Sequence, residues 1–216
     1  MTATTKVIEN SLRQYILAHS VREDKYLQDL RKAAIEEGLP EIHIAPEQGA
    51  LMRILVRING ARNMIEVGTL GGYSALWLAG GLPEDGQLMT IEINNKHADF
   101  AEKWIAGSDY AQKVKVIRGR AADRLAEMED NSADAAFMDA DKESYEEYLN
   151  HFSRIIRPGG LLMVDNAFAF GNILDEAVQT AGVLHLRRFN EILSAHDDFE
   201  STIMTVGDGL WVSLRR

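Results

Sequence analysis

The sequence predicts an α/β fold: a Rossmann-like, doubly wound and mostly parallel seven-stranded sheet with an antiparallel C-terminal strand, preceded by N-terminal helices. From Asn63 onwards, short apolar runs alternate with amphipathic stretches, which is typical of buried parallel strands connected by helices. The segment before Asn63 has helical periodicity instead. A glycine-containing turn near the C-terminus is typical of a hairpin, which accounts for the antiparallel strand.

The first part of the chain, residues 8–60, is expected to be helical. Its last helix begins near Pro46, because proline favours the first turn of a helix, and it carries apolar residues at helical spacing. Gly38-Leu39-Pro40 ends the helix before it. We expect a single domain, in which residues 1–60 cover a core formed by residues 61–216.

Apolar runs predict five parallel strands with helices between them. The runs are residues 64–67, 88–91, 114–117, 135–138 and 161–164, and the helical stretches include residues 96–105 and 145–156. After the fifth run, residues 183–189 and 210–214 are expected to form two further strands. These two strands, joined through Gly207-Asp208-Gly209, should pair as a hairpin at the sheet edge.

Composition and charge disfavour several classes of protein. The 216 residues, 46% of them hydrophobic and 26% charged, suffice for one domain with a substantial core. No apolar run is long enough to span a membrane, the first residues lack the layout of a secretory signal, and the chain has no cysteine. We therefore expect a cytoplasmic protein without thiolate metal sites. The net charge of −10 makes nucleic acid an unfavourable partner, because an acidic surface repels phosphate backbones.

A glycine loop follows the first apolar run. It comprises Glu66-Val67-Gly68-Thr69 and Gly71-Gly72-Tyr73-Ser74, and loops of this kind bring backbone close to a ligand at the start of a helix. Glu66 stands where a dinucleotide-binding loop has its first glycine, which favours a positively charged ligand over a pyrophosphate. Glu92, after the second run, has the spacing of an acid that binds ribose hydroxyls. A plain tight turn and a solvated carboxylate are the alternatives.

Acidic and amide residues follow the fourth and fifth runs: Asp139 after one, Asp165-Asn166 after the other. If the two strands are neighbours, their ends lie about 5 Å apart. Two carboxylates at such a short distance repel each other, and a cation bound between them removes the repulsion. Oxygen ligands favour Mg²⁺, with Ca²⁺ or Mn²⁺ as alternatives. The structural alternative is a helix cap at Asp139 and a turn at Asp165-Asn166.

Lys142 is a candidate general base, since it lies three residues after Asp139 and a neighbouring cation makes a lysine easier to deprotonate. The alternative is a surface lysine paired with Glu143 or Glu146. The six histidines show no spacing typical of metal ligands.

Together these motifs resemble the cation-dependent O-methyltransferases of the caffeoyl-CoA and catechol type, which are class I enzymes dependent on S-adenosylmethionine (SAM). The resemblance extends from about Ile44 to the C-terminus. It is carried by Ile65-Glu66-Val67-Gly68-Thr69, Gly72-Tyr73-Ser74, Leu82-Pro83-Glu84-Asp85-Gly86, Phe137-Met138-Asp139-Ala140-Asp141-Lys142, Pro158-Gly159-Gly160, Val164-Asp165-Asn166 and Gly207-Asp208-Gly209-Leu210. The Asp-Ala-Asp-Lys block followed one strand later by Asp-Asn is a highly specific combination.

The resemblance assigns roles to individual residues. Those implied to bind SAM are Glu66, Gly68, Thr69, Ser74, Glu92, Ala121, Asp139 and Asp141. In this assignment, Glu66, Gly68 and Ser74 contact the methionine part, Glu92 holds the ribose and Ala121 borders the adenine. Asp139, Asp165 and Asn166 are implied as metal ligands, and Lys142 and Asp139 as catalytic residues.

The implied activity is methyl transfer from SAM to a hydroxyl of a small molecule, and we expect an aromatic vicinal diol as the acceptor. The plant enzymes follow Asp-Asn with Thr-Leu-Trp and a substrate-contacting asparagine, whereas this chain has Ala167-Phe168-Ala169-Phe170-Gly171, which predicts a more apolar wall. Family members are often dimers, so a homodimer is expected. A tRNA-modifying O-methyltransferase and a non-catalytic nucleotide-binding module on the same fold are the alternatives.

Overall fold

The computed structural model describes residues 10–216, so the first two residues of the predicted helical segment, 8 and 9, lie outside the described part. Three helices precede the sheet: α1 (Asn10–Ser20), α2 (Lys25–Glu36) and α3 (Pro46–Asn59). Asp24 caps α2 by accepting a hydrogen bond from the Leu27 backbone N–H at 2.9 Å. Pro46 occupies the first turn of α3, and Gly60 ends this helix in the left-handed conformation.

Seven strands form one sheet. They are β1 (Asn63–Val67), β2 (Gln87–Glu92), β3 (Val114–Arg118), β4 (Ala133–Met138), β5 (Ile156–Val164), β6 (Phe199–Met204) and β7 (Leu210–Arg215). Their order in the sheet is β3-β2-β1-β4-β5-β7-β6. Strands β1 to β5 pair in parallel, and β7 runs antiparallel to both of its neighbours. The predicted fold class is confirmed.

Helices cover both faces of the sheet. Those that follow β1 are α4 (Tyr73–Ala79), α5 (Asn95–Ala106), α6 (Ala121–Ala126), α7 (Tyr145–Ile155) and α8 (Ala181–Ser194). One buried cluster joins α2, α3, α4 and α5 to one face, and a second joins α6, α7 and α8 to the other. The sheet is therefore buried on both sides, which is why its central strands appear in the sequence as nearly continuous apolar runs.

One predicted strand is wrong. Residues 183–189, expected to be a strand, belong to helix α8, and the partner of β7 in the hairpin is β6. The alternating pattern around Leu184 and Leu186 suggested a strand, but the buried side chains are Val183, Leu186, Phe189 and Leu193, which have helical spacing. The hairpin turn itself contains Gly207-Asp208-Gly209, as predicted.

Across residues 10–216, none of the helices combines the length and apolar character needed to cross a membrane.

Candidate active site

A cavity of about 1040 Å³ lies at the carboxyl ends of β1, β2, β4 and β5. This is where ligands bind in open parallel sheets, because the loops that follow the strands leave a crevice there. Residues of the segment before α3 and of the turn between β6 and β7 complete the walls. Of the residues predicted to bind SAM or a metal, all except Glu66 line this cavity.

Gly68 allows the loop after β1 to pass directly against the end of β4. Its φ is 95°, and a Cβ at this position would lie 1.9 Å from the backbone oxygen of Asp139. The neighbouring backbone is tied to β4, since the Asp139 N–H donates to the Val67 oxygen at 2.9 Å. A side chain at position 68 would therefore separate the glycine loop from Asp139.

Glu66 is fully buried in β1, and neither of its carboxylate oxygens has a hydrogen-bond partner among the described residues. Burial raises the pKa of Glu66 to about 8, and the hydroxyls of Ser74 and Thr90 beside it offset this only in part. The charges of Asp139 and Glu92 raise it further. An unpartnered buried carboxylate is costly, so this position favours a ligand that brings a positive charge.

Glu92 holds the glycine loop in place. One carboxylate oxygen accepts hydrogen bonds from the backbone N–H groups of Thr69 at 3.2 Å and Leu70 at 2.8 Å. The other accepts from the Asn94 N–H at 2.8 Å. The oxygen that binds Asn94 retains a second lone pair, so the carboxylate can still accept a hydrogen bond from a ligand on the cavity side.

The remaining predicted SAM residues are distributed around the same cavity. Ser74 lies in the first turn of α4, and Thr69 is buried with its hydroxyl 2.6 Å from that of Thr90. Ala121 begins α6 beyond the end of β3. The carboxylate of Asp141 accepts a hydrogen bond from the Tyr148 hydroxyl at 2.8 Å.

Asp139, Asp165 and Asn166 lie together, as their positions at the ends of adjacent strands predict. Strands β4 and β5 pair in register through Met138 and Val164, and the Asp165 N–H donates to the Met138 oxygen at 3.0 Å. Asp165 and Asn166 are 5% and 6% exposed. Burial, together with the nearby charge of Asp139, raises the pKa of Asp165.

Lys142 completes this cluster. Its ammonium donates to Asp139 Oδ1 at 2.9 Å, to Asn166 Oδ1 at 2.5 Å and to the Tyr145 hydroxyl at 2.6 Å. Burial alone would lower the pKa of Lys142, but Tyr145 and Asp139 raise it above its ordinary value. The ammonium therefore binds two of the three oxygen groups that were predicted as metal ligands.

These oxygens fit a hard divalent cation in kind, because carboxylate and amide oxygens are the ligands such cations prefer. Within residues 10–216, no three His, Asp or Glu side chains come together as a metal site. The candidate set has two carboxylates and one amide, with the remaining coordination left to water or substrate oxygens, as is usual for Mg²⁺.

Sequence reasoning missed three residues that contact the cluster: Tyr145, which contacts Lys142, and also Gln48 and Asp208. The amide of Gln48, 1% exposed in α3, donates to Asp165 Oδ1 at 2.8 Å. Asp208, in the turn between β6 and β7, accepts from the Asn166 side-chain amide at 3.2 Å. A signal for Gln48 was present, since it shares the buried face of α3 with Met52 and Val56 at four-residue spacing.

Exposed apolar side chains form part of the outer rim of the cavity, beside charged ones such as Arg13 and Glu41. Phe170 is 73% exposed and Ile42 is 61% exposed, and both line the cavity. His43, beside Ile42, packs edge-on against the Tyr73 ring. Burial lowers the pKa of His43 to about 4, helped by the positive charge of Arg31, so this imidazole is neutral at physiological pH.

A family model described as O-methyltransferase matches residues 17–216. Among curated relatives, a catechol O-methyltransferase from Niastella koreensis is 36% identical over 200 residues, which cover 91% of this chain and 90% of that protein.

Two solved structures are similar in fold and sequence. An O-methyltransferase from Bacillus cereus, in complex with S-adenosylhomocysteine (SAH), superposes with a TM-score of 0.87 at 31% identity and covers 95% of this chain and 97% of its own. An O-methyltransferase from Streptomyces achromogenes involved in tomaymycin synthesis, in complex with SAM, has a TM-score of 0.86 at 34% identity. The match covers 95% of this chain and 96% of that protein.

Proposed function

The chain belongs to the O-methyltransferase family and is a SAM-dependent O-methyltransferase, and on that premise we propose that it methylates a hydroxyl of a small aromatic vicinal diol with the help of a divalent cation. The observation that carries this proposal is the meeting of Asp139, Asp165 and Asn166 inside the cavity that Glu92 and the glycine loop also line. Oxygen ligands for a cation and candidate contacts for SAM thus share one compartment.

The glycine loop and its surroundings provide the SAM side of the site. Bound SAM supplies the methyl group on a positively charged sulfonium. Glu66 would face the positively charged amino group, because its carboxylate is buried without a protein partner. Glu92 would accept from the ribose hydroxyls, while Gly68 lets the backbone approach. Thr69, Ser74, Ala121 and Asp141 complete the proposed contacts along the cavity.

Asp139, Asp165 and Asn166 would hold the divalent cation, with Mg²⁺ favoured and Ca²⁺ or Mn²⁺ as alternatives. When bound, such a cation holds two adjacent oxygens of an acceptor and lowers the pKa of one hydroxyl. The ammonium of Lys142 contacts Asp139 and Asn166, so the side chain lies within reach of a hydroxyl placed there. We propose that Lys142 takes the hydroxyl proton on its Nζ, with Asp139 holding the amine in position.

The acceptor side of the cavity favours a small aromatic molecule. Phe170 and Ile42 present apolar surface at the rim, where an aromatic ring can pack. The net charge of −10 opposes binding of RNA, so this proposal takes a small molecule rather than tRNA as the substrate. The N-terminal residues contribute to the same wall, since Arg13 of α1 and Gln48 of α3 line the cavity.

Methyl transfer from labelled SAM should be measured with catechol and with phenol, before and after treatment with EDTA. We expect turnover of catechol to be lost with EDTA and restored by Mg²⁺, and phenol to react more slowly because it offers one oxygen to the cation. Asp165→Ala should abolish the restoration, whereas the matched control Asp175→Ala, outside the cavity, should behave like the wild type.

Full activity in the metal-free enzyme would contradict the role of the cation. Equal rates on catechol and phenol would contradict the vicinal-diol acceptor and leave the assignment of a SAM-dependent O-methyltransferase intact.

A further inference from the structure

The side chain of Asn166 is held from both ends. Its oxygen lies 2.5 Å from the Lys142 ammonium, inside the cluster of predicted metal ligands. Its amide nitrogen donates to Asp208 Oδ2 at 3.2 Å, outside that cluster. An amide has one acceptor end and one donor end, so whatever binds the nitrogen decides which way the oxygen points.

Asp208 is well placed for this task, because within residues 10–216 the groups that donate to it belong to the loop after β5. The same oxygen that binds Asn166 also accepts from the Phe170 backbone N–H at 2.8 Å. The backbone of the turn adds to this, with the Asp208 oxygen accepting from the Phe168 N–H at 2.9 Å and the Gly209 oxygen from the Ala167 N–H at 2.9 Å. The turn and the loop thus form one hydrogen-bonded unit.

The loop that Asp208 holds has an unfavourable backbone. Asn166, Ala169 and Phe170 have positive φ values of 65°, 51° and 54°. Residues other than glycine rarely adopt this conformation, and it persists where surrounding contacts impose it. The hydrogen bonds that Asn166 and Phe170 donate to Asp208 supply such contacts at both ends of the loop.

The turn is itself seated on the cluster. A Cβ on Gly207 would lie 1.8 Å from the side-chain oxygen of Gln48, so the glycine allows the turn to lie directly on the buried Gln48 amide. Gln48 in turn donates to Asp165 Oδ1 at 2.8 Å. The position of Asp208 is therefore fixed relative to both Asp165 and Asn166.

We propose that Asp208 is a positioning residue that holds the Asn166 amide with its oxygen toward the divalent-cation site. The proposal rests on the proposed function, in which Asn166 is a ligand of that cation. Asp208 does not touch the cation in this arrangement. It acts as an acceptor for the Asn166 nitrogen, and partners of metal ligands in this role typically contribute about 10- to 100-fold to metal affinity.

The test is Mn²⁺ binding to the full chain without SAM or acceptor, measured by electron paramagnetic resonance of the free ion. Asp208→Ala should weaken Mn²⁺ binding about 10- to 100-fold, because the Asn166 amide is then free to turn its nitrogen toward the cation. Asp208→Asn should stay close to the wild type, since its amide oxygen can accept the same two hydrogen bonds. The matched control Asn172→Ala removes a hydrogen bond of the same loop to the Ala169 oxygen and should leave Mn²⁺ affinity unchanged.

Unchanged Mn²⁺ affinity in a folded Asp208→Ala protein would overturn the positioning role while leaving the cation site in place. An equal loss in Asp208→Asn would overturn it as well, because the negative charge rather than the hydrogen bond would then matter. Weaker Mn²⁺ binding in Asn172→Ala would show that Asp208 only stabilises the loop, and this would overturn its specific role toward Asn166. Absence of Mn²⁺ binding in the wild type would remove the cation from the proposed function and this inference with it. SAM affinity, measured by calorimetry without metal, should be the same in all four proteins.

Discussion

Glu66 is the residue whose environment departs most clearly from that of an ordinary carboxylate. It is fully buried, its oxygens lack protein partners among the described residues, and Asp139 and Glu92 add negative charge nearby. The sequence predicted an acid that faces a positive ligand at this position. The structure supplies a physical reason for the choice, because a charged ligand group would relieve both the burial and the repulsion.

This environment predicts a pH dependence of stability that can be assigned to Glu66. Burial raises its pKa to about 8 from an ordinary value of 4.5, so the folded state binds the proton more tightly than the unfolded state. The stability that follows is fully present below the unfolded pKa and is lost as the pH rises through the folded pKa. As the pH rises from about 5 to about 8, the melting temperature of the wild type should fall relative to that of Glu66→Gln.

Thermal unfolding of the two ligand-free proteins across this pH range provides the measurement. Using the difference between them removes the contributions of other groups, such as Asp165 and His43, whose pKa values also shift. A difference that does not change with pH would show that the Glu66 carboxylate is not held in its neutral form by the fold.

Lys142 combines two properties that oppose each other. A general base must be neutral, yet Asp139 and Tyr145 favour the ammonium and raise its pKa. A divalent cation held by Asp139 and Asn166 would bring positive charge close to the amine and favour the neutral form instead. The role of base therefore depends on the cation, and the two proposals are linked.

Lys142→Ala should lower kcat about 10²- to 10⁴-fold if the amine accepts the proton, while SAM affinity stays unchanged. Lys142→Arg is the discriminating variant, because it keeps the positive charge and cannot act as a base. We expect both variants to be impaired at neutral pH and to recover partly at high pH, where the acceptor ionises without help. Rates of single turnover with catechol provide the measurement. Wild-type turnover in Lys142→Arg would leave the lysine with an electrostatic role alone.

The residues at strand ends were predictable because parallel topology brings the ends of adjacent strands to one edge. Asp139 and Asp165 needed only the assumption that β4 and β5 are neighbours, which the sheet order bears out. Gln48 and Asp208 could not be found in this way, since they come from α3 and from the turn after β6. Their contacts depend on how the two ends of the chain pack over the sheet. The spacing of Gln48 with Met52 and Val56 indicates that Gln48 is buried, but it does not indicate which residue Gln48 contacts.

At the scale of elements, the strands that are buried on both faces were the ones predicted well. Strands β1 and β4 contain runs of buried apolar side chains that a helix of that length would not show. Strand β6 was missed because it lies at the sheet edge, where Glu200, Thr202 and Met204 are exposed. Half of the residues of β6 are polar, so the more apolar residues 183–189 of α8 were predicted as the strand instead.

The hydrogen bonds between α8 and the hairpin explain why predicting a strand at residues 183–189 did not change the fold class. The Asn190 side chain of α8 accepts a hydrogen bond from the Trp211 indole at 2.7 Å and donates to the Ala167 oxygen at 2.8 Å. Helix α8 is thus a connection that packs against β7 and the loop after β5. Predicting a strand in place of α8 gave β7 the wrong hairpin partner. It did not change the antiparallel direction of β7, because that direction follows from the turn at Gly207-Asp208-Gly209.

At the scale of the whole molecule, exposed apolar side chains lie on the side of the sheet that α3 covers. Side chains of β7 at alternate positions share a face, so Leu214, 47% exposed, lies on the same side as Val212, which packs in the cluster of α3. On α3, Ile54 and Ile58 are 54% and 77% exposed. Apolar side chains that share one side of a molecule mark a candidate association surface, and we propose a second copy of this chain as its partner.

The last prediction is that the protein is a dimer that depends on this face. Stable interfaces bury about 1,200–2,000 Å² in total, with apolar side chains at the centre, so a charge placed there should disrupt association. Ile58→Glu should convert the protein to a monomer, whereas Leu184→Glu, a matched change on α8 at the other side of the sheet, should leave the dimer intact. Each copy carries a net charge of −10, so mutual repulsion opposes association and added salt should tighten the dimer by screening it. Sedimentation equilibrium at low and moderate salt measures both effects. A wild-type protein that sediments as a monomer in both, or an Ile58→Glu variant that remains dimeric, would exclude this face as the interface between subunits.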